Sequence, residues 1–333
     1  MEYAIETFGL TKRFARTKSF IDLLHPLRRK EITAIDDVNI KIKKGELFGV
    51  LGPNGAGKTT LIKMLCTLIL PTSGTASVNG YDIIEEEDDV RASIGLVTGE
   101  ERSFYWRLSG RQNLEFFASL HGFSYSDAHR KVEELLGIVD MVDKADDRFH
   151  NYSTGMKQRM AIARGLLNDP DMLLMDEPTK SLDPDAARHL QEFIKQLVKD
   201  QKKTVFLSTH HLDEAEHLCD RIVIIDRAKV RTCGSLSEIK KTGNEVIYIL
   251  EVRRFSDEML DRLSGLNGVI DVSMHARSDV SSLEIRLSDG EIVLPQIIET
   301  IVEGGGRIQA CKMDEISLDS VFARIVDGGE DTG

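Results

Sequence analysis

The chain has 333 residues, 41% of them hydrophobic and 29% charged, and a formal net charge of -12. That length exceeds one ordinary domain of roughly 100 to 200 residues, so one large and one small domain are expected in a chain of globular composition. The acidic balance speaks against general binding to nucleic acid, which needs clustered Lys and Arg, and no nucleic-acid partner is expected. A membrane span needs about 20 predominantly apolar residues. The best run, Leu61 to Leu70, is shorter and is broken by Lys63, and the segment Met1 to Glu6 lacks the basic start and apolar stretch of a secretory signal. A cytoplasmic location is therefore expected. Cys66, Cys219, Cys233 and Cys311 lie far apart with no C-x-x-C pair and read as small buried residues.

In chain order, Phe20 to Lys30 places apolar residues before three basic ones and reads as a peripheral solvated helix or as a segment lying against an anionic membrane face. Glu46 to Leu51 reads as a buried strand and Lys58 to Thr67 as the helix that follows it. The acidic run Glu85 to Asp89 reads as a solvated loop or helix start. From about Arg102 to Asn168 the pattern is helical, with helices over Gly110 to Leu120, Tyr125 to Leu136 and Gly155 to Leu167. Such a block between core strands reads as a lobe inserted into a sheet domain. Asp171 to Met175, Thr204 to Leu207 and Arg221 to Ile225 are further core strands, with an amphipathic helix over Pro184 to Lys199 that opens on its proline. Strands and helices in alternation point to an α/β fold with a wound parallel sheet. Beyond about Lys241 the pattern becomes strands at Glu245 to Val252, Val269 to Val272, Ser282 to Leu287 and Arg307 to Cys311, with helices at Ser256 to Leu263 and Ile292 to Glu303. This reads as a separate α+β domain over residues 242 to 333, after a main domain over 1 to 241.

The sharpest motif is Gly52-Pro53-Asn54-Gly55-Ala56-Gly57-Lys58-Thr59, with Thr60 next, a phosphate loop between a strand and a helix. Its glycines let backbone N–H groups wrap phosphates, the helix start presents its positive dipole end, Lys58 reaches the outer phosphates and Thr59 can hold Mg²⁺. Downstream, Met172 to Met175 is an apolar strand ending in Asp176 and Glu177. Asp176 is placed to hold Mg²⁺ through water, and Glu177 to accept a proton from the water that attacks the γ-phosphate.

Tyr152-Ser153-Thr154-Gly155-Met156 precedes a helix, and with it the chain resembles the nucleotide-binding subunit of an ABC transporter. The family signature is usually L-S-G-G-Q, of which the serine and second glycine are kept. The resemblance implies a P-loop NTPase (RecA-like) core with an antiparallel β subdomain and the inserted helical lobe. It also implies a homodimer with two ATP molecules sandwiched head to tail, in which Ser153, Thr154, Gly155 and Met156 meet the ATP of the opposite subunit. By the same resemblance Asp183, in Ser181-Leu182-Asp183-Pro184, communicates across the dimer, His210 contacts the γ-phosphate and steadies Glu177, and Phe14 stacks on adenine. His211 is assigned no role.

One departure stands out: the family has a glutamine in the stretch Ser93 to Glu100, and this chain has none. Gly99 holds the equivalent place, or Glu100 if one residue is inserted; a carboxylate there could still bind Mg²⁺ and a glycine could not. Beyond it, Phe104, Tyr105 and Trp106 lie among arginines where the family receives a helix of its permease. The ending Ile316 to Phe322 is similar to that of export-type ATPases of the drug and antibiotic resistance kind. The resemblance thus implies an ATP-hydrolysing exporter subunit, peripheral on the inner face of the membrane through a separately encoded permease. Alternatives of other classes are a soluble ATPase acting on ribosomes or DNA, and a regulatory protein of the same fold; a single module without sustained heptads and intact Lys58, Asp176, Glu177 and His210 weigh against them.

Overall fold

The computed structural model describes residues 2–16, 30–98, 103–241, 246–277, 280–288, 290–314 and 318–327. Phe20 to Arg29, Gly99, Glu100 and Ile316-Ser317 lie outside the described residues. The chain divides into two compact units, Met1–Leu236 and Ser237–Gly333.

The first unit carries two sheets. An antiparallel one is built on the long strand β1 (Tyr3–Arg16), which pairs with β2 (Lys30–Val38), β3 (Lys41–Lys43) and β5 (Ser73–Val78), the last in turn pairing with β6 (Tyr81–Asp82). The other sheet has six strands in the order β11-β10-β4-β9-β8-β7: Lys229–Ser235, Arg221–Asp226, Leu47–Leu51, Thr204–Thr209, Met172–Asp176 and Ile94–Thr98. All neighbours are parallel except β10 and β11. Every residue of β4 and β9 is buried, the continuous apolar run expected of strands covered on both faces.

Helix α1 (Lys58–Leu65) lies between the sheets, its Leu61, Ile62, Met64 and Leu65 joining Ile5, Leu10 and Ile35 of the antiparallel sheet and Phe206 and Val223 of the parallel one in a single core. It ends two residues earlier than expected, because Thr67 adopts a left-handed φ of 58° and Leu68 N–H turns back to the Lys63 carbonyl. The remainder of the apolar run, Leu68 and Leu70, is exposed. The acidic run opens α2 (Glu87–Ser93), with Glu87, Asp88 and Asp89 in its first turn, where negative charge suits the helix dipole.

The helical lobe consists of α3 (Gly110–Leu120), α4 (Tyr125–Ile138) and α5 (Thr154–Gly165), each begun by a serine cap: Ser109, Ser124 and Ser153. Its interior includes Leu114, Val132, Leu136 and Phe149, with Phe104 stacked on Phe149 at 4.5 Å between centroids. After β8 come α6 (Pro184–Gln201), with its proline in the first turn, and α7 (Leu212–Leu218) between β9 and β10.

The second unit is an antiparallel sheet ordered β13-β14-β12-β15: Val269–Arg277, Val280–Leu287, Val246–Arg253 and Arg307–Asp314. Helices α9 (Asp257–Ser264) and α10 (Gly290–Glu303) cover one face, over Leu250, Val252, Leu283, Ile285 and Leu287. The short α8 (Leu236–Lys241) begins at the last residue of the first unit and belongs otherwise to the second, and α11 (Leu318–Asp327) follows β15. Of the four cysteines only Cys66 and Cys219 are buried; Cys233 and Cys311 are exposed on β11 and β15, which corrects the reading of all four as interior residues. Both strands lie at the edge of their sheets, and β15 is exposed along nearly its whole described length.

Candidate functional site

The parallel strands end together. Leu51 is in register with Thr209, Asp176 with Ser208, and Thr98 with Asp176, so the turns after β4, β8 and β9 emerge along one edge. This is where wound parallel sheets bind ligands. A cleft of about 600 Å³ opens there, lined by Asn54, Gly55, Gly57, Lys58, Thr59, Thr60, Asp176 and Glu177 among others.

The phosphate loop is shaped by its glycines. Gly57 caps α1 at φ 112°, and a Cβ on it would sit 2.1 Å from the Ala34 carbonyl oxygen of β2. Gly52 is equally hemmed in, with the Ile225 carbonyl 2.2 Å from any Cβ. Ala56 N–H closes the turn on the Pro53 carbonyl at 3.1 Å. Lys58 is buried, its Nζ donating to the carbonyls of Gly52 at 2.6 Å and Pro53 at 3.2 Å. Burial holds its pKa below the usual lysine value, against the opposing pull of Glu177 and Asp176.

The carboxylates at the end of β8 are tied from three sides. Thr59 Oγ1 donates to Asp176 at 2.9 Å, and Ser208 Oγ donates to the same carboxylate at 2.6 Å. Glu177 sits in the left-handed region, at φ 48°, with its N–H bonded to Ser208. His210 Nδ1 is 2.9 Å from Glu177 Oε1, Lys180 Nζ is 2.7 Å from Oε2, and Lys58 Nζ is 4.0 Å from Oε1. Burial alone would raise this carboxyl's pKa, but the bonds from Lys180 and His210 and their charges bring it below the usual value. Lys180 is correspondingly raised by its bond to Glu177.

Two contributors had no role in the sequence reading. Lys180 is one. The other is Glu214 of α7, 3% exposed, which accepts from Thr179 Oγ1 at 2.8 Å and Thr209 Oγ1 at 2.5 Å. Burial pushes its pKa up, against the two threonine bonds. It joins the turn after Glu177 to the end of β9, just before His210. Neither residue belongs to a spacing that a single sequence exposes, since each acts through a contact between separate turns. His211, given no role, is exposed beside His210 with ring centroids 4.1 Å apart.

The signature segment divides. Thr154 lines the main cleft, whereas Ser153, Gly155 and Met156 line a smaller cavity of about 240 Å³ with Leu182 and Ala186. Ser153 caps α5, its hydroxyl accepting from Met156 N–H at 3.3 Å. Asp183 caps α6 in the same way, accepting from Ala186 N–H at 2.9 Å. Phe14 is 41% exposed on β1, opposite Ile32 and beneath Lys12 Nζ, and is not among the residues lining the cleft. Tyr105 and Trp106 are exposed at the lobe, while Phe104 is buried there and stacked against the Arg164 guanidinium at 4.8 Å.

Thr59 Oγ1 and the Asp176 carboxylate are adjacent hard oxygens, a donor set that suits Mg²⁺. Among the described residues no group of three or more His, Cys, Asp or Glu could hold a metal by itself. The site thus fits an ion shared with a ligand's phosphates. Also among the described residues, no helix is long and apolar enough to cross a membrane.

Comparison with known proteins agrees with this geometry. The ABC transporter family profile matches residues 35–180. The chain is 35% identical to the daunorubicin/doxorubicin resistance ATP-binding protein DrrA of Streptomyces peucetius, over 96% of this chain and 91% of that protein. It is 32% identical to the bacitracin transport ATP-binding protein BcrA of Bacillus licheniformis, over 99% of both. Among solved structures it is similar to cbiO1 of Clostridium perfringens, part of the cbiONQ transporter complex, with 25% identity and a TM-score of 0.62 over 72% of this chain and 91% of that one. The dimeric bacterial ABC transporter cassette MJ0796 aligns with 26% identity and a TM-score of 0.60, over 70% of this chain and 98% of that one. With the phosphate loop, the paired carboxylates and His210 on one sheet edge, and relatives matching from end to end, the chain belongs to the ABC transporter family as an ATP-binding, ATP-hydrolysing subunit.

Proposed function

We propose that two copies of this chain close head to tail around two Mg-ATP and drive a separately encoded export permease. The observation that carries the reading is the set of contacts converging on Glu177 beside the phosphate loop. In this reading Gly52 to Thr60 cradle the phosphates, and Thr59 and Asp176 hold Mg²⁺, which neutralises phosphate charge when bound. Lys58 meets the outer phosphates. Glu177 accepts a proton from the attacking water, and His210, bonded to the same carboxylate, fixes its orientation and reaches the γ-phosphate. Ser153 to Met156 serve the nucleotide of the facing copy, and Asp183, capping the helix beside them, passes closure between copies. Phe14 is the aromatic assigned to adenine.

The exposed Tyr105, edge-on to Phe116, and Trp106, beneath Lys157 Nζ, are assigned as the contact to the permease, where aromatic residues carry binding energy well. The chain would thereby lie peripherally on the inner face of the membrane. An export role is supported by relatives named for drug resistance and bacitracin transport. Size-exclusion chromatography with light scattering on Glu177→Gln tests the closure. A dimer that forms only with Mg-ATP is expected, and a monomer at saturating Mg-ATP would overturn the two-chain site.

A further inference from the structure

Glu177 is unusual in how fully its charge is spoken for. His210 holds Oε1 at 2.9 Å, Lys180 holds Oε2 at 2.7 Å, and Lys58 approaches Oε1 at 4.0 Å. The cations differ in freedom. Lys58 is 5% exposed and bonded to two loop carbonyls, so it is fixed in place. Lys180 has a side chain 63% exposed, on a four-carbon stem that can swing. Its backbone is anchored by the turn it closes, Lys180 N–H donating to the Glu177 carbonyl at 3.1 Å. Lys180 also lines the same cleft as Lys58 and Thr59. Two ammonium groups thus stand on either side of one carboxylate.

We propose that Lys180 is a positioning residue shared between Glu177 and the terminal phosphate of ATP: it holds the carboxylate as the structure shows, and yields it when a third phosphate draws the ammonium away. A carboxylate paired to an ammonium is a poor acceptor for a water proton, so a base tied this way is ready only once a stronger anion has taken its counterion. The terminal phosphate carries more charge than a single carboxylate and enters the same cleft. A nucleotide lacking it leaves Lys180 on Glu177. The proposal rests on the assignment of the cleft to ATP and of Glu177 as the base.

The test compares equilibrium affinities of the full chain for a non-hydrolysable ATP analogue and for ADP, both with Mg²⁺, in the parent, Lys180→Met and Lys180→Arg. In Lys180→Met the analogue is expected to bind on the order of 5- to 10-fold more weakly, with ADP changed by less than about 2-fold. Lys180→Arg should keep the parent's discrimination, because its charge is retained. Equal losses for both nucleotides, no loss for either, or an arginine variant indistinguishable from the methionine one would each overturn the proposal. Turnover of Glu177→Gln at the parent's rate would remove the base assignment instead, without touching a measurement that reads binding alone.

Discussion

In the first unit, charged side chains reach the interior and are held there by partners. Lys58, Glu46, Glu214 and Asp226 are all buried, each bonded to a carbonyl, a hydroxyl or an opposite charge. In the second unit the buried side chains described are aliphatic but for Thr300, with Leu250, Leu283 and Ile285 of the sheet packed with Ile297 of α10. Burying a charge costs free energy unless it is paired and hydrogen-bonded, so a domain that does it repeatedly is organised around something other than stability. The first unit places that investment at the ends of its parallel strands. The second spends its interior on packing alone, and substitutions in the two should therefore fail in different ways.

The largest effect is expected at the strand ends. Glu177→Gln should slow steady-state ATP hydrolysis on the order of 10² to 10⁴-fold while nucleotide binding survives, checked by phosphate release and by equilibrium dialysis. Ile285→Ala should do the reverse. Loss of a fully buried isoleucine costs about 2 to 5 kcal/mol, which denaturant unfolding would register as an early transition of the second unit with ATP affinity unchanged. A drop in ATP affinity of the Ile285 variant would break the contrast between the units.

Glu214→Ala lies between these extremes, since it leaves the Thr179 and Thr209 hydroxyls without their acceptor. A cost of about 1 to 3 kcal/mol is expected, together with a fall in turnover of roughly 10-fold as Glu177 and His210 lose their common tether. Glu214 also predicts a pH dependence. Its folded pKa is raised above that of the unfolded chain, so the folded state binds its proton more tightly. Its contribution to stability is present at low pH and is lost as pH rises through the folded pKa. Glu214→Gln should remove that decline, seen as a flatter curve of unfolding midpoint against pH. The smallest effect belongs to the exposed pair Glu192 and Lys195 on α6, 3.7 Å apart. Lys195→Ala should move the melting temperature by less than about 2 °C.

Legibility did not follow that divide: the four strands of the second unit and its helices α9 and α10 were all anticipated, and the missed strands lie in the first. The strands β4, β8, β9 and β10 and the helices α3 to α6 could be read because their apolar patterns are sustained and, for α6, the opening proline Pro184 is explicit. The antiparallel sheet escaped the chain-order reading. In β1 buried residues such as Ala4, Ile5, Thr7 and Leu10 are interrupted by register shifts, so no clean alternation marks the strand. β7 was missed as an element because it is only five residues long, and its residues draw meaning from pairing with β8. At the site, contiguous motifs announced Lys58, Asp176 and Glu177. The pairing of Lys180 with Glu177, and the bridge that Glu214 builds between two turns, depend on where the chain folds back and leave no local pattern.

The close approach of Gly57 to Ala34 ties two parts of the first unit that are far apart in composition and role. The Ala34 carbonyl of β2 leaves no room for a side chain at Gly57, so the phosphate loop is packed against a strand that is itself paired with β1. The antiparallel sheet is in this sense a mould in which the loop is cast. A side chain at Gly57 would destroy the loop by collision with that mould, and fraying of β1 and β2 would soften it without any change in its own sequence. Nucleotide affinity thereby becomes a gauge of whether the first strands of the chain have closed.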